Sequence, residues 1–285
     1  MKILVLGDFH GKLSNVVITN IRKVSPDIII STGDYLPFHY RKLWFEHCFG
    51  TDLQLWEVIG KEEYKKIIIK DLDLGEKALK QLNSLNIPVL TVLGNVDHPS
   101  ADDVADEEKL KGKAYWAWEY SRESQFEDRL KKYKNIERID YSYSLFQDLV
   151  FVGARGHSFP GRVKSKAFRK YKKILENLFK KFKKENKNRK VIFVSHNVPY
   201  NTKLDLITSK SADKLVAKQH YGSKLVRKII NRFQPVLNFG GHIHESRGIQ
   251  RLGKTISVNP GAIHERKYAV VNISDKGKIN VKLKS

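Results

Sequence analysis

Short apolar, β-branched runs recur along this chain, and several end in glycine followed by a polar side chain. Ile3–Leu6 ends at Gly7-Asp8, Asp27–Ser31 at Gly33-Asp34, and Pro88–Leu93 at Gly94-Asn95. Val191–Val194 ends at Ser195-His196, and Val236–Phe239 at Gly240-Gly241-His242. Runs that are apolar on both faces predict buried strands. Helical spacing separates them. Ala78, Leu79, Leu82 and Leu85 share a face over Glu76–Leu85, and Phe168, Tyr171, Leu175, Leu178, Phe179 and Phe182 share another. Leu225, Val226, Ile229, Ile230 and Phe233 predict a third helix over Gly222–Phe233.

Strands alternating with helices argue for an α/β fold with crossover units. Two regions read differently. Ile136–Phe146 and Leu149–Gly153 predict strands with no helix between them, and so do Thr255–Val258, Tyr268–Ile273 and Lys278–Leu283. A mixed pair of sheets with helices outside accommodates all of these runs. Neither an internal repeat nor a low-complexity linker interrupts the pattern, so residues 1–285 are read as one domain. Two aromatic and charged stretches stand apart, at about 38–70 and about 100–120. Both follow strands that end in candidate ligands, so both are expected above the site.

Composition narrows the class. Of 285 residues 41% are hydrophobic, which fits a globular chain and argues against wholesale disorder. The single cysteine, Cys48, excludes an internal disulfide. No stretch approaches the roughly 18 apolar residues of a membrane span. The opening run Ile3–Leu6 is too short for a signal peptide and predicts a first strand. A cytoplasmic location and no membrane partner are therefore expected. The 53 Lys and Arg outnumber the 31 Asp and Glu, a formal charge of +22. That charge favours anionic partners such as nucleic acid. It equally fits a charge-rich surface adapted to heat, in a chain with one Cys and one Met.

The chemistry sits at the strand ends, where open α/β sheets bind ligands. Each strand reaching that edge delivers a metal-ligand residue type: Asp8, His10, Asp34, Asn95, His196, His242 and His244. Adjacent glycines are expected to let the backbone turn sharply there. Carboxylate, amide oxygen and imidazole suit manganese, iron, zinc or nickel, and the absence of thiolates argues against a structural zinc knot. Seven donors exceed the needs of one ion with open positions. Two divalent transition metals sharing a carboxylate, roughly 3.5–4 Å apart, fit better. Each residue taken singly has a plain alternative: a helix cap for Asp8, turns for Asp34 and Asn95, backbone hydrogen bonds for the histidines. Their joint arrival at five strand ends is what points to metal.

The order Asp8-Phe9-His10-Gly11, Gly33-Asp34, Gly94-Asn95-Val96-Asp97, Ser195-His196 and Gly241-His242-Ile243-His244 resembles the calcineurin-like metallophosphoesterase superfamily. Gly222-Ser223, His244-Glu245-Ser246 and Val258-Asn259-Pro260-Gly261 look like its Icc-related phosphoesterase branch. The resemblance implies a four-layer α/β/β/α sandwich with two mixed sheets. It implies one metal on Asp8, His10 and His244, another on Asn95, His196 and His242, and Asp34 bridging. It implies hydrolysis of a phosphate ester, with a phosphodiester favoured, by in-line attack of a metal-bridging hydroxide; manganese is the expected metal. The alternatives are a nuclease of the same superfamily and a non-catalytic scaffold on this fold, as in the related retromer subunit.

One position departs from the pattern. Many members carry a histidine after the motif Asn, implied to contact phosphate and assist the leaving group. Here Val96 stands there and can neither donate nor accept a proton. Proton donation of this kind is typically worth ~100- to 10,000-fold. His98 is the nearest candidate for it, then His157 or His39. Lys12 and Arg155 are candidates for binding substrate phosphate by placement alone. The basic stretch Lys164–Lys190 reads as a solvated face.

Overall fold

A computed structural model describes residues 1–51, 53–98, 116–156, 166–185, 189–208 and 217–285. Two six-stranded sheets form its centre. The first runs in the order β12-β11-β1-β2-β3-β4, from Ile279–Lys284, Tyr268–Ile273, Lys2–Leu6, Ile28–Ser31, Val89–Thr91 and Ile136–Arg138. The second runs β5-β6-β7-β8-β10-β9, from Tyr143–Phe146, Leu149–Ala154, Lys190–Asn197, Leu237–Gly241, Thr255–Asn259 and Gly248–Leu252. Both are mixed: in the first, β1, β2, β3 and β4 pair in parallel while β1–β11 and β11–β12 are antiparallel.

Strand alternation explains the layering. In β1, Leu4 and Leu6 face a core shared with Val17 and Ile21 of α1 (Asn15–Val24) and Ile68, Leu72 and Leu79 of α4 (Lys61–Asn83). Ile3 and Val5 face the other way, onto Phe151, Ile192, Val194 and Phe239 of the second sheet. That sheet's opposite residues, Val150, Val152 and Phe193, pack under Phe179 of α7 (Lys166–Glu185) and Ile229 and Ile230 of α8 (Lys224–Phe233). Three apolar layers thus lie between four layers of structure, the α/β/β/α sandwich expected from the sequence. Each fully buried Leu, Ile, Val or Phe adds roughly 1.5–3 kcal/mol. Ser14 and Ser223 begin α1 and α8 by accepting from Val17 N and Val226 N.

Three expectations change in detail. The run 136–146 is not one strand: Ile136–Arg138 lies in the first sheet and Tyr143–Phe146 in the second. Its apolar pattern continues because Ile139, between them, is buried in the inter-sheet core. The helix expected from Glu76 begins at Lys61, so the stretch 38–70 is not wholly an insertion. It holds α2 (Arg41–His47), α3 (Leu55–Ile59) and the start of α4, whose Tyr64 and Ile68 are core residues. Of the stretch 100–120, only residues 116–120 are described; they carry α5 (Ala117–Tyr120), which leads into α6 (Arg122–Leu130). No helix among the described residues is long and apolar enough to cross a membrane.

Candidate metal centre

The strand-end residues converge on one edge of the sandwich, where the two sheets meet. Asp8, His10 and His244 offer ligand atoms within 4.8 Å of one another, and Asp34, His196 and His242 form a second such group. His244 Nε2 lies 3.4 Å from Asp8 Oδ1 and 3.3 Å from His10 Nε2. His196 Nε2 lies 2.9 Å from Asn95 Oδ1, 3.3 Å from His242 Nδ1 and 3.6 Å from Asp34 Oδ2. All seven residues named from the sequence are therefore in one place.

The turns that bring them there differ from expectation. Asp8, His10, Asp34 and His242 themselves adopt positive φ, at 55°, 44°, 57° and 71°. Such backbone is costly for residues with a Cβ and marks sites where the surroundings over-determine it. The neighbouring glycines serve mainly to clear space. A Cβ on Gly94 would stand 1.9 Å from Asp34 Oδ1, and one on Gly33, itself at φ 92°, 2.3 Å from Gly94 N. Asp97 ties these two loops together. Its Oδ1 accepts from Tyr35 N and Leu36 N, and its Oδ2 from Asp34 N and Gly94 N, at 2.8–3.0 Å.

The donor chemistry fits cations. His196 Nδ1 lies 2.7 Å from the Thr32 carbonyl oxygen and His10 Nδ1 lies 3.3 Å from that of Leu36. A carbonyl only accepts, so Nδ1 carries the proton and each neutral ring presents a lone pair at Nε2. Burial holds His10 at about 3 and His242 well below its ordinary value, so both rings are neutral. The lone pair of His196 thus faces the Asn95 oxygen, another acceptor, at 2.9 Å. Burial, and after it the charge of Asp8, pushes Asp34 up to about 8. Asp8 itself is lowered: burial opposes ionisation, but His244 and then His196 and His10 outweigh it. His244 moves up to about 9, where the Asp8 carboxylate overcomes burial. An acceptor set against an acceptor is what a cation between them would relieve.

Other candidates fall into place around a cavity of about 560 Å³ that opens over the two groups. Phe38, Tyr40, Trp44, Phe45 and Phe49 line it, so the 38–70 stretch does stand over the site. Lys12 lines it and is exposed. Arg155 does not. Its guanidinium bonds Glu123 at 2.8 Å and lies over the Tyr171 ring, anchoring α6 and α7. His98 is fully buried with Nε2 3.1 Å from the Gly156 carbonyl oxygen. Val96 lines the cavity, and His157 lies outside the described residues. His264 was not singled out from the sequence. Its Nδ1 donates to the Asp8 carbonyl at 2.8 Å and its ring packs against His10 and His244. The signal was available, since His264 follows Asn259-Pro260-Gly261 at the end of β10, a strand end like the others.

A two-sheet sandwich that gathers two clusters of carboxylate and imidazole at its strand ends is a metal-binding hydrolase scaffold of the metallophosphoesterase class. The chain belongs to the calcineurin-like phosphoesterase family, whose profile matches residues 1–246; the family binds divalent metal ions and acts on phosphate esters. Uncharacterized protein MJ1162 of Methanocaldococcus jannaschii is 41% identical over 107 residues, which is 35% of this chain and 46% of that protein. The match thus spans about half the length of that relative. One crystal structure shares the fold over 100% of this chain and 99% of its own, with a TM-score of 0.66 and 20% identity.

Proposed function

We propose that this protein hydrolyses a phosphate ester, with a phosphodiester as the favoured substrate, at a pair of divalent transition metals. Asp8, His10 and His244 would hold one ion and Asn95, His196 and His242 the other, with Asp34 shared. Asp34 Oδ2 lies 3.6 Å from His196 Nε2, and its charge also acts on His244 in the first group. Manganese is the proposed metal; iron, zinc and nickel suit the same donors. When bound, the two ions supply Lewis acidity to the phosphoryl oxygens and activate water for attack on phosphorus. The chain's own part is to hold the donors. Thr32 and Leu36 set the imidazole tautomers, Asp97 fixes the Asp34 loop, and the aromatic wall from Phe38 to Phe49 limits solvent above the centre. The observation that carries this is the convergence of all seven donors, with the His196 lone pair facing the Asn95 oxygen.

The test is a substrate panel with Mn, Ni, Zn and Mg, comparing monoesters, diesters, cyclic nucleotides and DNA. Diester hydrolysis by the metal-loaded protein, abolished by a chelator and restored by metal, is expected. Failure to bind metal at all would return the chain to a scaffold. The net charge of +22 favours a nuclease as the second reading. Hydrolysis confined to DNA, with binding that falls steeply with salt, would select it.

Metal loading is also expected to release protons. At pH 7 the metal-free site keeps a proton on Asp34, pushed up to about 8, and on His244, pushed up to about 9. A cation needs both groups deprotonated, so its affinity falls as pH drops below that range. Calorimetric titration of chelator-treated protein with Mn²⁺, in buffers of different ionisation enthalpy, should show heats that scale with the buffer. Identical heats in all buffers would contradict the crowded, protonated site.

A further inference from the structure

The cavity over the metal centre also holds a histidine–carboxylate pair that the centre does not use. His39 Nδ1 lies 2.5 Å from Asp71 Oδ1. The Asp71 side chain, on α4, is 1% exposed, whereas that of His39 is 50% exposed and lines the cavity together with His10, Asp34, Asn95 and His244. The second carboxylate oxygen of Asp71 is buried with no hydrogen-bond partner among the described residues. Arg122, whose charge also acts on Asp71, bonds instead to the Tyr40 and Tyr64 hydroxyls and to Glu119.

As a stabilising device this arrangement is poor. Desolvating a carboxylate costs several kcal/mol, and a half-exposed partner returns little of it. What it does secure is orientation. A carboxylate on Nδ1 fixes the imidazole plane and leaves Nε2, on the opposite side of the ring, as the atom that exchanges a proton.

The other histidines on this cavity are committed. His10, His242 and His244 belong to the metal groups. His264 donates to the Asp8 carbonyl and packs on two of the ligands, and His98 has Nε2 on the Gly156 carbonyl. Val96 is inert to protons. Among the described residues lining the cavity, His39 is the histidine that stands apart from the ligands and is oriented by a carboxylate.

We propose that His39 is the catalytic acid that protonates the leaving oxygen, with Asp71 as its positioning residue; this rests on the phosphoesterase reading. As the phosphorus–oxygen bond breaks, its electron pair stays on the leaving oxygen, which takes the proton from His39 Nε2. The attacking water forms the new bond to phosphorus and gives up one proton to solvent. His39 regains its proton from solvent through its exposed face, so diester and water become alcohol and phosphomonoester with no net proton held by the protein.

The experiment compares a diester carrying a nitrophenyl leaving group with one carrying an alkyl leaving group, on Mn-loaded wild type, His39→Gln and Asp71→Asn. A nitrophenolate departs with little help and an alkoxide does not. His39→Gln should lower kcat/KM for the alkyl ester by ~100-fold or more, with a loss at least ten times smaller for the nitrophenyl ester. Asp71→Asn should show the same pattern more weakly, by ~10-fold, because an imidazole without its carboxylate remains better than none. Metal per chain and Tm serve as controls, since a residue that only ties its loop to α4 would move both esters equally. Equal losses for the two esters, or an unchanged alkyl ester, would overturn the assignment while leaving the phosphoesterase reading intact. No hydrolysis of either ester by metal-loaded wild type would overturn both.

Discussion

Asp34→Asn is expected to make the metal-free protein more stable while removing most of its activity. Asn keeps the oxygen that accepts from Val96 N at 3.1 Å; its NH2 takes the place of Oδ2, which lies 3.6 Å from the His196 Nε2 lone pair, so the charge goes and the new donor faces an acceptor. That charge opposes folding when no metal is present, because burial and then Asp8 push Asp34 up to about 8 from an ordinary 3.8. A carboxyl whose folded value is raised binds its proton more tightly folded than unfolded. The penalty is therefore absent below about pH 4, grows as pH rises, and is complete near pH 8. Thermal unfolding of chelator-treated wild type and Asp34→Asn should give Tm values that match near pH 4 and diverge toward pH 8, with the variant higher. The same substitution removes the carboxylate proposed to join the two ions. Metal per chain should fall below two, and turnover of a diester by about 100- to 1,000-fold, the scale seen when one preorganised electrostatic group is lost. An Asp34→Asn protein that melts lower than wild type at pH 8, or keeps both metals, would remove the shared-carboxylate assignment.

Asp97→Asn should do the reverse: damage the fold first and the centre as a consequence. Burial, and behind it the charge of Asp34, drives the Asp97 carboxyl upward. Yet each of its oxygens already faces two backbone N–H groups. A proton on either oxygen would meet an N–H, so the ionised form is held. Asn turns one of those oxygens into a donor, which then confronts two donors. Hydrogen bonds to a charged acceptor are worth about 1.5–3 kcal/mol each, and the N–H groups left behind are buried. Two such losses total about 3–6 kcal/mol, or roughly 5–10 °C in Tm for a chain of this size. Each Asp97 oxygen binds a donor from the segment 34–36, so the Asp34 loop should loosen and metal affinity should drop as well. A Tm within about 2 °C of wild type would show that Asp97 does not tie the two loops.

Much of this was visible along the chain because strand ends are local features. A buried run must stop somewhere, and five such stops in this chain are each followed by a proposed ligand residue. Asp8, Asp34, Asn95, His196 and His242 are each legible in that way, and the alternation of Ile3, Leu4, Val5 and Leu6 already implies two cores, one on each face of the first sheet. The positive φ at Asp8, His10, Asp34 and His242 was not legible, because the adjacent glycines offered an easier explanation. The strain is imposed by neighbours from distant segments, such as Gly94 standing against Asp34. Asp71 lies in the middle of a helix and His39 in a loop, so neither carries a pattern that marks the other.

The amino-acid sequence by itself determined which residue types end each strand, and with them the kind of chemistry: oxygen and imidazole donors in a number suited to two ions. Periodicity and composition are properties of short segments, and short segments suffice for that. Only the tertiary structure decided which donors face one another, that Asp97 locks two loops, that Arg155 turns away from the cavity, and that a buried carboxylate stands behind His39. Those are relations between atoms 32 to 234 residues apart in the chain. They arise when the two sheets close on a shared apolar layer, and no local signal specifies them.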